Sequence, residues 1–293
     1  MKILIINHSP LIGSGSGIYT MNIAKALKRK KQEVRVITAA NSLEFPNMEG
    51  IDIHPIFFEN GYTAENIINF NVPCFDQYPT SDVVFYNLTK KQKEVYIEEF
   101  RKVLEQEIND FKPDIIHTQH LWMWSSIVPE YGIPTVVTSH GSDIMGYDID
   151  NSFAPYCIKT IEGCKKIITI SKMNNKLVLD KFPEAKGKVT TLKNGYDSKM
   201  FYLTSLDKKD ILKKFKIEKE YEKIVLYAGR LTENKGIDVL LKAASHYEDG
   251  KTLTIIAVGR RTFKKIKKTS ESIEFKRYCF CRRSISKKTK PII

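Results

Sequence analysis

The feature that most constrains this chain is the alternation of short apolar runs with segments whose apolar residues recur at helical spacing. The first such unit has a strand at 2–7, a helix at 18–30 and a strand at 33–39. Continuous apolar strands that alternate with helices are typical of a parallel sheet covered by helices on both faces. The sequence therefore predicts an α/β fold built on a doubly wound parallel sheet.

The same alternation continues along the chain in looser form. Further strands are predicted at 51–58, 114–118, 134–139, 166–170, 188–192, 223–228 and 252–258, and further helices at 91–111 and 236–247. Residues 59–89 show no clean period, so we expect a long loop near a functional cleft. Asn194-Gly195 is a turn signal followed by a polar stretch. We therefore expect one domain at 1–195 and a second, partial domain at 196–259.

The charge of the chain is concentrated at one end. The net charge is +13, but residues 260–293 alone carry 13 Lys and Arg residues and two Glu residues, which leaves a balance of +2 for residues 1–259. A nearly neutral body argues against nucleic acid as a partner. Apolar periodicity also fades after Gly259, so we expect 260–293 to be a basic tail that is aberrant or disordered.

Other features exclude several classes of protein. The apolar run at the N-terminus is too short for a secretion signal or a membrane span, so we expect a cytoplasmic protein. The five cysteines form no C-x-x-C pair, which favours reduced thiols. His117 and His120 are interpreted as packing or cleft-wall residues, because nothing supplies a third ligand for a metal. No metal site is therefore predicted.

The segment 225–236 has the chemistry of a diphosphate clamp. An apolar strand pattern runs into Gly229 and Arg230, and Lys235 and Gly236 then open an amphipathic helix. Arg230 offers a planar fork of donors, Lys235 offers a charge near a helix N-terminus, and the glycines let the backbone approach an anion. The alternative is an ordinary turn between a strand and a helix, with two solvated cations.

A glycine-rich segment, Gly13-Ser-Gly-Ser-Gly17, follows the first strand. We predict that Gly15, Ser16 and Gly17 bind a phosphate or a sugar hydroxyl through backbone amides at the start of a helix. The spacing is not G-x-G-x-x-G and no clear ribose-binding acid follows, so a nicotinamide cofactor is not expected. A flexible turn that binds no ligand is the alternative.

The segment Ser139-His-Gly-Ser-Asp143 follows a predicted strand and places His140 at the carboxyl edge of the sheet. Open α/β sheets bind their ligands at this edge. A histidine here can donate to a substrate hydroxyl or titrate near neutrality. The alternative is that His140 is a structural hydrogen-bonding group.

Taken together and in order, these motifs resemble the nucleotide-sugar glycosyltransferases of family 4, which retain anomeric configuration and have two facing Rossmann-like domains, the GT-B architecture. The resemblance covers roughly residues 1–259. It rests on the segments 13–17, 113–117, 138–143, 168–172, 193–197 with Phe201, and 228–236.

The resemblance implies transfer of a sugar from a nucleotide diphosphate sugar to a hydroxyl of a glycan or glycolipid acceptor. Arg230 and Lys235 would neutralise the departing diphosphate, so that no metal or other cofactor is required, and His140 would lie beside the donor sugar. Such assembly of polysaccharide or glycolipid implies a peripheral place at the inner face of the membrane. The remaining substrate-binding residues would be Asp143, Asn194, Gly195 and Gly229.

One departure from the family pattern concerns the second domain. The family carries a paired-glutamate motif, E-x7-E, that contacts the donor, and none is found in the second domain of this chain. We therefore expect that residues 260–293 are a truncated or frame-shifted continuation and that the activity of this chain is doubtful. The alternatives are a non-catalytic nucleotide-sugar-binding remnant, a protein whose basic tail binds anionic lipid or nucleic acid, and a sugar-nucleotide epimerase, which shares the two-domain architecture.

Overall fold

The computed structural model divides into two compact units, Met1–Gly195 and Tyr196–Ile293. The residues that the structure describes are 1–41, 46, 48–59, 68–75, 81, 83–198, 201–203, 205–215, 217–229, 231, 235–244, 246–247, 251–258 and 278–282.

The first unit is built on a sheet of seven parallel strands in the order β3-β2-β1-β4-β5-β6-β7. The chain moves outward from β1 through β2 to β3 and then returns to the other side of β1 with β4. The strand order therefore reverses between β1 and β4, which is where open α/β sheets form a ligand-binding crevice. The strands are β1 Lys2–Asn7, β2 Glu33–Ala40, β3 Asp52–Phe57, β4 Ile115–Gln119, β5 Thr135–Ser139, β6 Lys166–Thr169 and β7 Val189–Thr191.

Apolar side chains on both faces of β1 explain why helices cover both sides of this sheet. Ile3 and Ile5 pack in a cluster that includes residues of the first helix, whereas Leu4 and Ile6 pack in a larger cluster with residues of the second. This alternation follows from the two-residue period of a strand. The helices of this unit are α1 Gly15–Arg29, α2 Lys90–Phe111, α3 Ser142–Ile149, α4 Ala154–Gly163 and α5 Lys172–Lys181.

The second unit contains a three-stranded parallel sheet in the order β10-β9-β8. Its buried side chains include Leu212, Ala244, Leu253 and Ile256, whereas Ile224 and Leu226 on β8 are exposed. The elements of this unit are α6 Lys208–Lys214, β8 Lys223–Ala228, α7 Ile237–Ala244, β9 Thr252–Val258 and β10 Tyr278–Arg282.

The α/β class and the parallel sheet predicted from the sequence are confirmed, and three local details differ. Helix α1 begins at Gly15 and not at residue 18, because Ser14 caps it. Within the segment 59–89, Phe85 is fully buried and Phe70 nearly so, which places part of the expected loop in the core. Within the expected basic tail, Tyr278–Arg282 forms β10 beside β9. The rest of that tail, 260–277 and 283–293, lies outside the described residues.

No helix in the described ranges combines the length and the apolar character needed to cross a membrane.

The buried hydroxyl of Tyr96, in the core of the first unit, lowers the stability of the fold. Tyr96 is fully buried, its hydroxyl has no hydrogen-bond partner among the described residues, and burial raises its pKa well above the ordinary value. An unsatisfied buried polar group destabilises a fold by about 1–3 kcal/mol.

We therefore expect Tyr96→Phe to raise the free energy of unfolding of the first unit by about 1 kcal/mol. The measurement is urea unfolding followed by tryptophan fluorescence, because both tryptophans of the chain, Trp122 and Trp124, lie in this unit. Tyr131→Phe is the matched control, since the hydroxyl of Tyr131 donates to Glu105 at 2.8 Å and should not gain stability when removed. A loss of stability in Tyr96→Phe would contradict the expectation.

Candidate functional site

Three loops meet at the carboxyl edge of the first sheet, where β1, β4 and β5 end side by side. Each of these strands is followed at once by a histidine: His8 after β1, His120 after β4 and His140 after β5. Parallel pairing of β1 with β4 and of β4 with β5 brings these histidines together. The site therefore lies at the point where the strand order reverses.

The three imidazole rings are in direct contact. The ring centroids of His8 and His120 are 4.5 Å apart, and those of His120 and His140 are 4.8 Å apart. His8 also stacks on Trp124 at 4.1 Å. A fourth histidine, His117 on β4, places its Nε2 atom 2.8 Å from Oγ1 of Thr138.

Burial keeps all four imidazoles neutral at pH 7. Desolvation lowers the pKa of His117 to about 4 and the pKa values of His120 and His140 to about 3. It also lowers the pKa of His8 well below its ordinary value, and the neighbouring imidazoles act in the same direction. Of the two roles considered for His140, hydrogen bonding is therefore favoured over titration near neutrality. These side chains can act as hydrogen-bonding groups in this state, but not as cations.

His140 is the partly exposed member of the cluster, and two contacts hold its ring. Its Nε2 atom lies 2.9 Å from Oε1 of Gln119, the last residue of β4. The ring of Tyr19, on α1, meets it edge to face at 4.9 Å. The imidazole is thereby fixed from two sides, while part of it stays open to a ligand.

Asp143 holds the loops that follow β4 and β5. It is fully buried, and its carboxylate accepts hydrogen bonds from the amides of Leu121 and Gly141, both at 2.9 Å, and from Oγ of Ser139 at 3.0 Å. Burial raises the pKa of Asp143, and the hydrogen bonds from Leu121 and Ser139 oppose the rise. Asp143 was predicted to bind substrate; in the structure its carboxylate holds the loops after β4 and β5 through these three hydrogen bonds.

The glycine-rich segment is mostly the first turn of α1. Oγ of Ser14 accepts from the amide of Gly17 at 2.9 Å and donates to the carbonyl of Pro10 at 2.7 Å. Ser16 and Gly17 are buried, whereas Gly15 is exposed. The segment is therefore a capped helix start and not the flexible turn of the alternative, and Gly15 is its exposed position.

The substrate-binding residues that were predicted in the second unit and at the domain connection are exposed where the structure describes them. Gly229 follows β8, and the exposed Lys235 precedes Gly236, whose φ of +69° leads into α7. Arg230, the other cation of the predicted clamp, lies outside the described residues. Asn194 and Gly195 are exposed at the end of the first unit.

Three side chains at the carboxyl edge of the first sheet were not singled out from the sequence: His8, Tyr19 and Gln119. The signal for His8 and Gln119 was their place at the ends of apolar strand runs. Nothing in the local pattern indicated that Tyr19 would contact His140, since the two are brought together only by the fold. Across the described ranges, no group of three or more His, Cys, Asp or Glu side chains is arranged to hold a metal ion.

Comparison with protein families identifies the chain. The model of Glycosyltransferase Family 4 matches residues 13–199. The chain belongs to glycosyltransferase family 4. A second model, Glycosyl transferases group 1, matches residues 208–291 of this family 4 chain. That match continues past Gly259, where the resemblance seen in the sequence was thought to end.

Individual relatives support the family assignment and the fold. An uncharacterized glycosyltransferase of Methanocaldococcus jannaschii is 27% identical over 257 residues, a match that covers 83% of this chain and 59% of the relative. The chain thus spans less than two thirds of that relative's length.

Two solved structures have the same fold. Sucrose-phosphate synthase from Thermosynechococcus elongatus gives a TM-score of 0.67 at 14% identity, covering 97% of this chain and 71% of that one. HepE of Anabaena, in complex with UDP and glucose, gives a TM-score of 0.65 at 13% identity, and the match covers 96% of this chain and 69% of HepE. At such identities the likeness is one of fold, and it confirms the GT-B class of the family 4 chain.

Two glycines of α1 offer a matched test of the helix start. A Cβ atom on Gly17 would lie 2.2 Å from the carbonyl oxygen of Pro10 and 2.7 Å from Cα of Leu11, whereas a Cβ atom on Gly15 would meet nothing within 4 Å. We expect Gly17→Ala to lower the free energy of unfolding by about 1–3 kcal/mol, because backbone must shift. We expect Gly15→Ala to raise it by about 0.5–1 kcal/mol. Urea unfolding measures both; equal effects of the two substitutions would contradict this account.

The lowered histidine pKa values predict how stability depends on pH. Below about pH 6.5 the unfolded chain binds protons on these histidines, whereas the folded chain excludes them until about pH 3–4. The free energy of unfolding should therefore fall as the pH is lowered from 7 to 5, by at most about 1.4 kcal/mol per pH unit for each histidine.

Urea titrations at pH 7, 6 and 5 measure this slope. His117→Gln should reduce this slope by up to the contribution of one histidine. A slope that does not change in His117→Gln would show that His117 is not excluded from protonation in the folded state.

Proposed function

We propose that this family 4 chain transfers a sugar from a nucleotide diphosphate sugar to a hydroxyl of a glycan or glycolipid acceptor, with retention of anomeric configuration. The observation that carries the proposal is His140, a neutral and partly exposed imidazole held at the switch point of the first sheet. The family assignment supports the reaction class. HepE of Anabaena, which has the same fold, has been solved with UDP and with UDP-glucose, and this supports a uridine diphosphate donor.

In the first unit we assign His140 to the donor sugar. A neutral imidazole can form a hydrogen bond with a sugar hydroxyl without attracting an anion, which suits an uncharged ring. Gln119 and Tyr19 hold the imidazole before substrate arrives, so that no reorganisation is needed during reaction. Asp143 helps to position His140 indirectly, because its carboxylate accepts a hydrogen bond from the amide of the next residue, Gly141. Gly15 offers an open backbone position near the same edge.

In the second unit we assign Lys235 to the diphosphate, together with Arg230. A cation that stabilises charge as it develops on a leaving group is commonly worth a few kcal/mol in the transition state. Two such cations can neutralise a diphosphate, and we propose that no metal is required. Gly229, Asn194 and Gly195 complete the set of proposed substrate-binding residues.

Calorimetric titration of the folded chain with UDP tests the diphosphate assignment. Loss of a charge-assisted donor costs about 1.5–3 kcal/mol, so Lys235→Ala should weaken UDP binding about 10- to 100-fold. Lys213→Ala is the matched control, because it removes the same charge from an exposed position on α6 in the same unit and should leave the affinity unchanged.

Hydrolysis or transfer of the sugar of UDP-glucose tests the role of His140. We expect His140→Ala to retain UDP binding and to lower the turnover of UDP-glucose about 100-fold, as removal of a group that acts on the transition state does. Binding without turnover in the wild-type chain would show a nucleotide-sugar-binding protein. Failure of the folded wild type to bind either UDP or GDP would refute the proposed function.

A further inference from the structure

We propose that Gln119 is a positioning residue that fixes the tautomer of His140, so that Nδ1 of His140 is a bare acceptor for a hydroxyl of the bound sugar. This inference rests on the proposed function for the role of His140, but not for the tautomer itself.

The geometry begins with the pairing of β4 and β5. Gln119 lies opposite Thr138 in this pairing, so its side chain stands at the strand end from which His140 emerges. The side chain is fully buried, and its Oε1 atom lies 2.9 Å from Nε2 of His140. Enclosure of the glutamine and contact with Tyr19 leave the imidazole little freedom to turn.

The tautomer of His140 follows from its hydrogen-bond partner, the side-chain oxygen of Gln119. A carbonyl oxygen can only accept a hydrogen bond, so Nε2 of His140 must carry the proton that it donates to Gln119. A neutral imidazole has one such proton, which leaves Nδ1 without one. A second proton is disfavoured because the ring is desolvated and lies against the ring of His120. Nδ1 is therefore an acceptor, and it favours a sugar hydroxyl over a phosphate or carboxylate oxygen.

The cost of this arrangement points to a role beyond packing. Nε2 of Gln119 is buried without a hydrogen-bond partner in the described part of the chain, which costs about 1–3 kcal/mol. Three further buried polar atoms at the ends of β1 and β4 share this condition: Oδ1 of Asn7, Nδ1 of His8 and Nδ1 of His120. Native folds leave few such atoms, and these four are grouped at one edge of the sheet beside His140.

The tautomer can be read directly by nuclear magnetic resonance. In the full chain labelled with 15N, the His140 signals are assigned by their loss in His140→Ala. At pH 7 we expect Nε2 to be protonated and Nδ1 to be bare. Gln119→Met keeps the length of the side chain but removes the hydrogen bond, and we expect it to give a mixture of tautomers. Gln119→Glu supplies an acceptor without a donor, so it should restore the Nε2-protonated form and raise the pKa of His140.

The signals of His246, an exposed residue of the second unit, serve as an internal control that should not change in these variants. A wild-type chain with the proton on Nδ1 would overturn the proposal. So would a Gln119→Met variant that keeps the wild-type tautomer. If Gln119→Met fails to fold, the wild type is compared with Gln119→Glu. A pKa of His140 that is the same in these two proteins would also overturn the proposal.

Ligand titration tests the acceptor role separately from turnover. We expect the Nδ1 resonance of His140 to move upfield when UDP-glucose is added and to stay in place when UDP is added, because only the sugar supplies the hydroxyl. Movement with UDP alone would overturn the assignment to the sugar. A chain that binds UDP-glucose with this shift but transfers no sugar would refute the proposed reaction and leave the role of Gln119 standing.

Discussion

The hydrogen bonds accepted by the buried carboxylate of Asp143 are the interaction on which the candidate site depends. A carboxylate removed from water is costly unless donors replace the lost hydration. Here the amides of Leu121 and Gly141 and the hydroxyl of Ser139 supply them. Because these donors come from the loop after β4, from the end of β5 and from the loop that follows it, the energy that offsets burial of the charge also holds the two loops together. His120 and His140 stand on those loops, so their contact follows from the same bonds.

A second constraint is the burial of the imidazoles. Burial holds their pKa values far below neutrality, which turns four basic side chains into neutral hydrogen-bonding groups. A site of this kind discriminates by the direction of hydrogen bonds and not by charge. In the proposed reaction, His140 of the first unit is assigned to the uncharged sugar and Lys235 of the second unit to the diphosphate.

Much of the fold could be predicted because strand and helix periods are local. The nine strands predicted from the apolar runs are all present in the structure. The ordered motifs identified the family correctly. The start of α1 was predicted late because apolar spacing begins at Ile18, whereas the helix begins where Ser14 satisfies its amides. Strand β10 was missed because Tyr278–Arg282 lies in a basic segment without a clear apolar period. The lowered pKa of His140 could not be predicted from the sequence, because desolvation depends on neighbours that are distant in sequence.

By itself, the sequence determined the parallel α/β architecture and the place of His140 at a strand end, since both follow from residue order within a single unit of strand and helix. Only the tertiary structure decided what surrounds that histidine. Tyr19 and Gln119 reach it from α1 and from the end of β4, and they meet there because β4 returns to the far side of β1 and pairs with β5. That strand order depends on the packing of the whole sheet, and no local pattern encodes it.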